Sequence, residues 1–168
     1  NQSLSMFSHQ QVEWIDRILC KNGHITSSFD IPKEQVVHAD KIIADKDSCV
    51  IKAPQQFGLT CLAHYMIREA WLKTSQVWAY IDFESVSSKD VSATVAHEGK
   101  VFGLDRVDCI LLDSWSSEKN GAQKILEVLH NGYPSTRLVV MQTANEELNA
   151  LTAVRIRIER NFTVYNLL

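Results

Sequence analysis

The sequence has little of what marks a membrane, secreted or nucleic-acid-binding chain. No apolar stretch reaches the roughly 18 residues that a membrane span needs, and no signal peptide opens it. Cys20, Cys49, Cys61 and Cys109 form no Cys-x-x-Cys pair, and three lie in or beside apolar runs. Buried, reduced thiols and a cytoplasmic location are therefore expected. The six histidines show no His-x-x-x-His or Cys/His spacing, so no metal site built from protein ligands alone is expected. There is no basic excess: the net charge is -3 and the pI about 6.1, which disfavours nucleic acid as a partner. With six Gly and three Pro, low-complexity and collagen-like classes are excluded. No Gly-x-Ser-x-Gly elbow occurs, so a hydrolase triad is unsupported.

What is there suits one α/β domain of 168 residues, 45% of them apolar. Val12, Ile15, Ile18 and Leu19 mark a helix over 9–20, and Val36, Ala39 and Ile43 a second one from Pro32 to about residue 45. Residues 1–46 read as a helical lead-in packed on a core of residues 47–168. Within the core, apolar strands at 48–52, 77–82, 108–113 and 137–142 alternate with helices, and a last strand lies near 162–166. A short helix is expected around 145–151. Continuous apolar strands separated by helices imply a three-layer α/β/α domain on a mostly parallel five-stranded sheet. The chain lacks an initiating Met and closes on an apolar run, so it is expected to be a piece of a longer protein.

The first strand–helix junction reads Ala53-Pro54-Gln55-Gln56-Phe57-Gly58-Leu59-Thr60, followed by Cys61. Its spacing matches the phosphate-loop pattern G-x-x-x-x-G-K-[ST], with Gly58 and Thr60 in place. Ala53 stands for the first glycine and Leu59 for the lysine. Backbone N–H groups at a helix N-terminus can hold phosphate, and a hydroxyl can reach the accompanying Mg²⁺. The point charge on the β- and γ-phosphates is gone. Leu59 also begins a helical stripe with Leu62, Ala63, Met66, Ile67, Ala70 and Trp71, so packing explains it equally well. The third strand closes on Asp113, as a Walker B strand does, though such an Asp is also a common cap. Ser114 follows it, where ATPases often place a catalytic acid. The fourth strand ends in Gln142-Thr143-Ala144-Asn145, a place for a γ-phosphate sensor or a helix cap.

In this order of motifs the chain resembles the P-loop domain of the STAND and AAA+ group of NTPases, with a degenerate Walker A motif. Phe29-Asp30-Ile31-Pro32, Ala53–Thr60, Cys109–Asp113, Arg137–Thr143 and the terminal strand at 161–168 carry the resemblance. It implies ATP or ADP bound with Mg²⁺ by residues 53–61, with Thr60 reaching the metal and Asp113 helping to hold it through water. It further implies a switch or oligomerisation domain of a signalling or antiviral-defence protein, partnered by other domains of the same chain and by further copies of itself. Leu59 and Ser114 argue for weak or absent hydrolysis. The rival reading is a pseudo-NTPase scaffold that binds no nucleotide; nucleic-acid handling by an AAA+-like clamp is disfavoured by the acidic pI.

Other residues have two readings each. Arg155, Arg157 and Arg160 suit an arginine finger or a solvated face, the latter preferred. Asp82, Glu84 and Asp90 read as solvated loop acids. His64 is expected to be partly exposed, and Cys61 to be a buried thiol inside the helix stripe. Trp115, just past Asp113, is expected in a polar loop where it can pack on a partner or a base.

Overall fold

The structure, a computed structural model, describes residues 33–54, 57–87, 89–143 and 160–167. The expected helices at 9–20 and 145–151, together with Gln55, Gln56, Ala144, Asn145, Arg155 and Arg157, lie outside the described residues. Helix α1 (Lys33–Ala44) leads into strand β1 (Cys49–Ala53), helix α2 (Leu59–Thr74) and strand β2 (Trp78–Asp82). A short 3₁₀ turn (Phe83–Ser85) precedes helix α3 (Val91–Phe102). Strand β3 (Cys109–Trp115), helix α4 (Ala122–Gly132), strand β4 (Arg137–Thr143) and strand β5 (Thr163–Asn166) follow.

The five strands form one sheet in the order β2-β3-β4-β1-β5, and every neighbouring pair is parallel. Both faces are covered, which is why the strands read as apolar runs rather than as alternations. Cys49, Ile51, Cys109, Leu111, Val139 and Met141 face α1 and α2, packing on Ala39, Ile42, Leu62, Met66 and Ile67. Val50, Ile110, Leu112, Leu138 and Val140 face the other way, against Val91 and Val95 of α3 and Ile125, Leu126 and Leu129 of α4. The period of two in the strands and of 3.6 in the helices makes this a three-layer α/β/α sandwich.

Two features of the topology position the site. Strand β4 is inserted between β1 and β3, so the carboxyl ends of β1, β4 and β3 lie side by side below the N-terminus of α2. Strand β3 also runs two residues beyond the expected end at Asp113, and its pairing with β4 slips between Leu112 and Trp115. Ser114 takes a left-handed conformation there (φ 59°), unusual for a residue with a side chain. Such a bulge bends the strand and re-aims a side chain. Trp115 is consequently not in a polar loop. It is 1% exposed, packed in the α3/α4 layer, with its indole N–H donating to the Ala122 carbonyl at 3.0 Å.

Candidate functional site

Ala53 is the last residue of β1, fully buried and paired in register with Thr143. The chain then turns: the Phe57 N–H donates to the Pro54 carbonyl at 3.2 Å, and Gly58 caps α2 in the left-handed region (φ 87°, ψ 35°). A Cβ at Gly58 would meet nothing within 4 Å, so the glycine is there for its backbone angle and leaves open space beside the helix end. Among the described residues no side chain caps α2, so the first-turn N–H groups of this 16-residue helix point out of the carboxyl edge of the sheet. Phe57 and Leu59 are half-buried against the α1/α2 layer. Leu59 thus takes part in the packing, as its stripe suggested.

Thr60 is exposed at the start of α2, and its hydroxyl donates to Asp113 Oδ2 at 2.8 Å across 53 residues of sequence. The same oxygen accepts from the Tyr80 hydroxyl at 2.7 Å, and Asp113 Oδ1 accepts from the Ser114 N–H at 2.8 Å. Asp113 is 1% exposed, and its hydrogen-bond donors among the described residues are all neutral groups. Burial first, and then the Asp113 charge and hydrogen bond, push the Tyr80 phenol far above its ordinary range, so it stays a donor. Residues 109, 111 and 113 share the α2 side of β3, and Tyr80 shares it on β2, which brings the three groups together.

His64 completes the cluster and differs from expectation. It is 7% exposed, its ring lies 5.1 Å from that of Tyr80, and its Nε2 is buried with no hydrogen-bond partner among the described residues. Burial lowers its pKa, against the opposing charges of Asp113 and Asp82, so the ring is neutral at pH 7. Cys61 is the converse correction: it is exposed, one residue past Thr60, because α2 turns position 64 rather than 61 onto the sheet. Cys49 and Cys109 are buried as expected, and burial pushes the Cys49 thiol up to about 12, leaving it inert.

Arg160 is neither a finger nor a solvated residue. It is 8% exposed, donating through Nε to His130 Nδ1, through Nη1 to Ser48 Oγ and the Thr136 carbonyl, and through Nη2 to the carbonyls of Tyr133 and Pro134. It clamps the start of β5 to the α4–β4 turn, at the opposite end of the sheet from Thr60. Asp82 caps the 3₁₀ turn through the Glu84 N–H and the Ser85 hydroxyl, while Glu84 and Asp90 are exposed. Gln142 is buried at the end of β4.

The residues present fit Mg²⁺ and a phosphate group. Thr60 Oγ1 and Asp113 Oδ2 are hard oxygen donors 2.8 Å apart, close to the edge of an octahedron whose metal–oxygen bonds are about 2.0–2.1 Å. Among the described residues no three His, Cys, Asp or Glu side chains converge, so water and phosphate oxygens would complete the shell. The open helix end beside Gly58 suits phosphate oxygens. Bound there, the cation would neutralise phosphate charge and polarise a phosphoryl oxygen. Tyr80 and the buried state of His64 are the members that sequence reasoning missed. The alternation of β2 already placed Tyr80 on the Trp78 face, but pairing with β3 was needed to bring it to Asp113.

No family model and no curated protein matches the sequence. Solved structures do. The DnaC helicase loader aligns over 79% of this chain and 88% of its own, with a TM-score of 0.50 and 10% identity. A Pif1 helicase, from a study of DNA unwinding at forked duplexes, aligns over 82% of this chain with a TM-score of 0.54 and 9% identity, and the alignment spans 43% of its length. A protein assigned as a primosome component from Streptococcus pyogenes serotype M3 aligns over 80% of this chain and 75% of its own, with a TM-score of 0.54 and 13% identity. At such identities the likeness is one of fold: the chain has the parallel α/β architecture of P-loop-type ATPases.

Proposed function

We propose that the chain is an ATP- or ADP-binding module that hydrolyses nucleotide slowly or not at all. In this reading it serves a longer, STAND-like multidomain protein as a switch or oligomerisation domain in signalling or antiviral defence. One observation carries the binding step: the Thr60 hydroxyl on Asp113 Oδ2, at the uncapped helix end behind left-handed Gly58. The β- and γ-phosphates sit against the α2 N-terminus, and Mg²⁺ takes Thr60 and Asp113. Without a lysine at position 59, one charge-assisted hydrogen bond worth about 1.5–3 kcal/mol is missing, which weakens binding by about ten- to a hundredfold. Hydrolysis suffers more, because that charge acts most strongly on the transition state. Ser114 also offers no carboxylate to activate water.

Calorimetric titration with ATP and ADP, with and without Mg²⁺, tests this. Millimolar or tighter binding that strengthens with Mg²⁺ supports it. No heat and no thermal stabilisation at several millimolar nucleotide leaves a nucleotide-independent scaffold, the reading that the packing of Leu59 and Phe57 favours. The structural neighbours named for helicase loading and unwinding make a DNA arm worthwhile, and the net charge of -3 predicts no salt-sensitive binding there.

A further inference from the structure

The segments that lead into the five strands wall a polar cleft of about 430 Å³ at the amino end of the sheet, opposite the phosphate loop. Its charged walls are Asp45, Asp47 and Asp108 against Lys46, Arg137 and Arg160. Arg160 spends its guanidinium on five bonds to the chain. Arg137 does not. It is the first residue of β4, 9% exposed, with its guanidinium 5.5 Å from the centre of the Trp78 ring. Its Nε donates to the Asp47 carbonyl at 2.6 Å, and its Nη2 reaches only the Cys49 sulfur, at 3.8 Å. Nη1 is buried with no hydrogen-bond partner among the described residues.

A buried cation ordinarily has an anionic partner, and a buried donor without an acceptor calls for a reason. Among the described residues no carboxylate forms an ion pair with Arg137. Two of the acids in the wall are held by other groups: Asp45 accepts from the Lys46 and Asp47 N–H groups and the Tyr165 hydroxyl, and Asp108 Oδ2 from the Val77 N–H. Burial keeps the Cys49 thiol protonated, so it supplies no negative charge either.

We propose that this cleft binds a small zwitterion, an amino acid or a close analogue, with its carboxylate on Arg137 and its ammonium on Asp47 and Asp108. Nη1 without an acceptor, next to Nη2 with only a weak one, leaves a two-pronged edge that matches a carboxylate. The balance of three acids and three bases selects the rest of the ligand. A dianion such as phosphate would draw on Arg137 and Lys46 but face the exposed acids Asp47 and Asp108, whereas an ammonium finds its partners there. The inference is independent of the nucleotide site at the other end of the sheet.

Saturation-transfer NMR and calorimetry on the full chain test it, with each of the common L-amino acids as probe and inorganic phosphate as the anion control. At least one amino acid should bind with a millimolar or tighter Kd. Its N-acetyl form, without the ammonium, and its carboxamide, without the carboxylate, should each bind at least about tenfold more weakly, as loss of a charge-assisted hydrogen bond requires. Arg137→Gln, verified as folded by circular dichroism, should abolish binding. Should that variant not fold, the two derivatives still decide, together with Asp47→Asn/Asp108→Asn, whose exposed positions tolerate the change and whose affinity should fall severalfold. No binding of any amino acid at several millimolar overturns the proposal. So does unchanged affinity in a folded Arg137→Gln chain or in the double Asn variant, an N-acetyl form that binds as well as its parent, or phosphate that binds more tightly than every amino acid.

Discussion

Leu59→Lys puts the missing charge back where the phosphate-loop pattern has it, and its two effects can be separated. Leu59 is half-buried beside Phe57 on the α1/α2 layer, so the substitution removes part of a leucine's contacts. Full burial of such a side chain is worth about 1.5–3 kcal/mol; half of that, offset by the lysine stem lying on the same surface, costs about 1 kcal/mol of stability or less. The gain falls on binding. One charge-assisted hydrogen bond to phosphate, about 1.5–3 kcal/mol, tightens ATP and ADP by about ten- to a hundredfold. AMP, with no β-phosphate, gains little, and the advantage shrinks as salt screens the charge. Calorimetry with ATP, ADP and AMP on wild type, Leu59→Lys and Leu59→Met reads this, the Met variant isolating the packing change. A folded Leu59→Lys chain with no gain, or with the same gain for AMP as for ATP, refutes the phosphate-cradle reasoning.

Gly58→Ala places a side chain at φ 87° without a clash, so urea unfolding should show a loss of about 1–2 kcal/mol from the backbone alone; an unchanged midpoint would mean that the loop is not left-handed. Arg160→Ala strips five hydrogen bonds, one buried and four part-buried, and should cost about 3–4 kcal/mol, of which Arg160→Lys recovers less than half because an ammonium cannot span them; a loss under about 1 kcal/mol counts against the clamp. Burial and a 2.7 Å hydrogen bond to Asp45 push the Tyr165 phenol from 10.0 up to about 12. A raised folded pKa favours the neutral form, so this contribution is complete below pH 10, where the unfolded phenol titrates, and is lost as pH rises towards 12. Tyr165→Phe should therefore flatten the fall in melting temperature over that interval, leaving the part due to Tyr80, whose pKa is raised in the same sense.

The features of the chain that repeat locally were legible as sequence. Leu62, Ala63, Met66, Ile67 and Ala70 recur at the helical period and are buried as one stripe, and the apolar runs around Cys49, Ile110 and Val139 are strands of a parallel sheet. Gly58, Thr60 and Asp113 could be picked out because their spacing mirrors a strand–loop–helix unit followed by another strand. What failed were readings that turned on which face of an element meets which neighbour. Cys61 and His64 are three positions apart on α2, and their exposures are the reverse of expectation, since only docking on the sheet fixes the rotation of that helix. Trp115 lies two residues past an acid and precedes a run of polar residues, yet the bulge at Ser114 turns it into the core.

Sequence by itself thus determined the element types and the layering, because these follow from period and composition within a few residues. Tertiary structure decided the rest. Strand pairing is non-local, and the insertion of β4 between β1 and β3 cannot be read from either strand. The same pairing brings Tyr80 from β2 and Thr60 from α2 onto one oxygen of Asp113, 33 and 53 residues away along the chain. The turn into α2 is encoded locally, by Gly58. The hydroxyls that close on Asp113 beside it are brought there only by the tertiary fold.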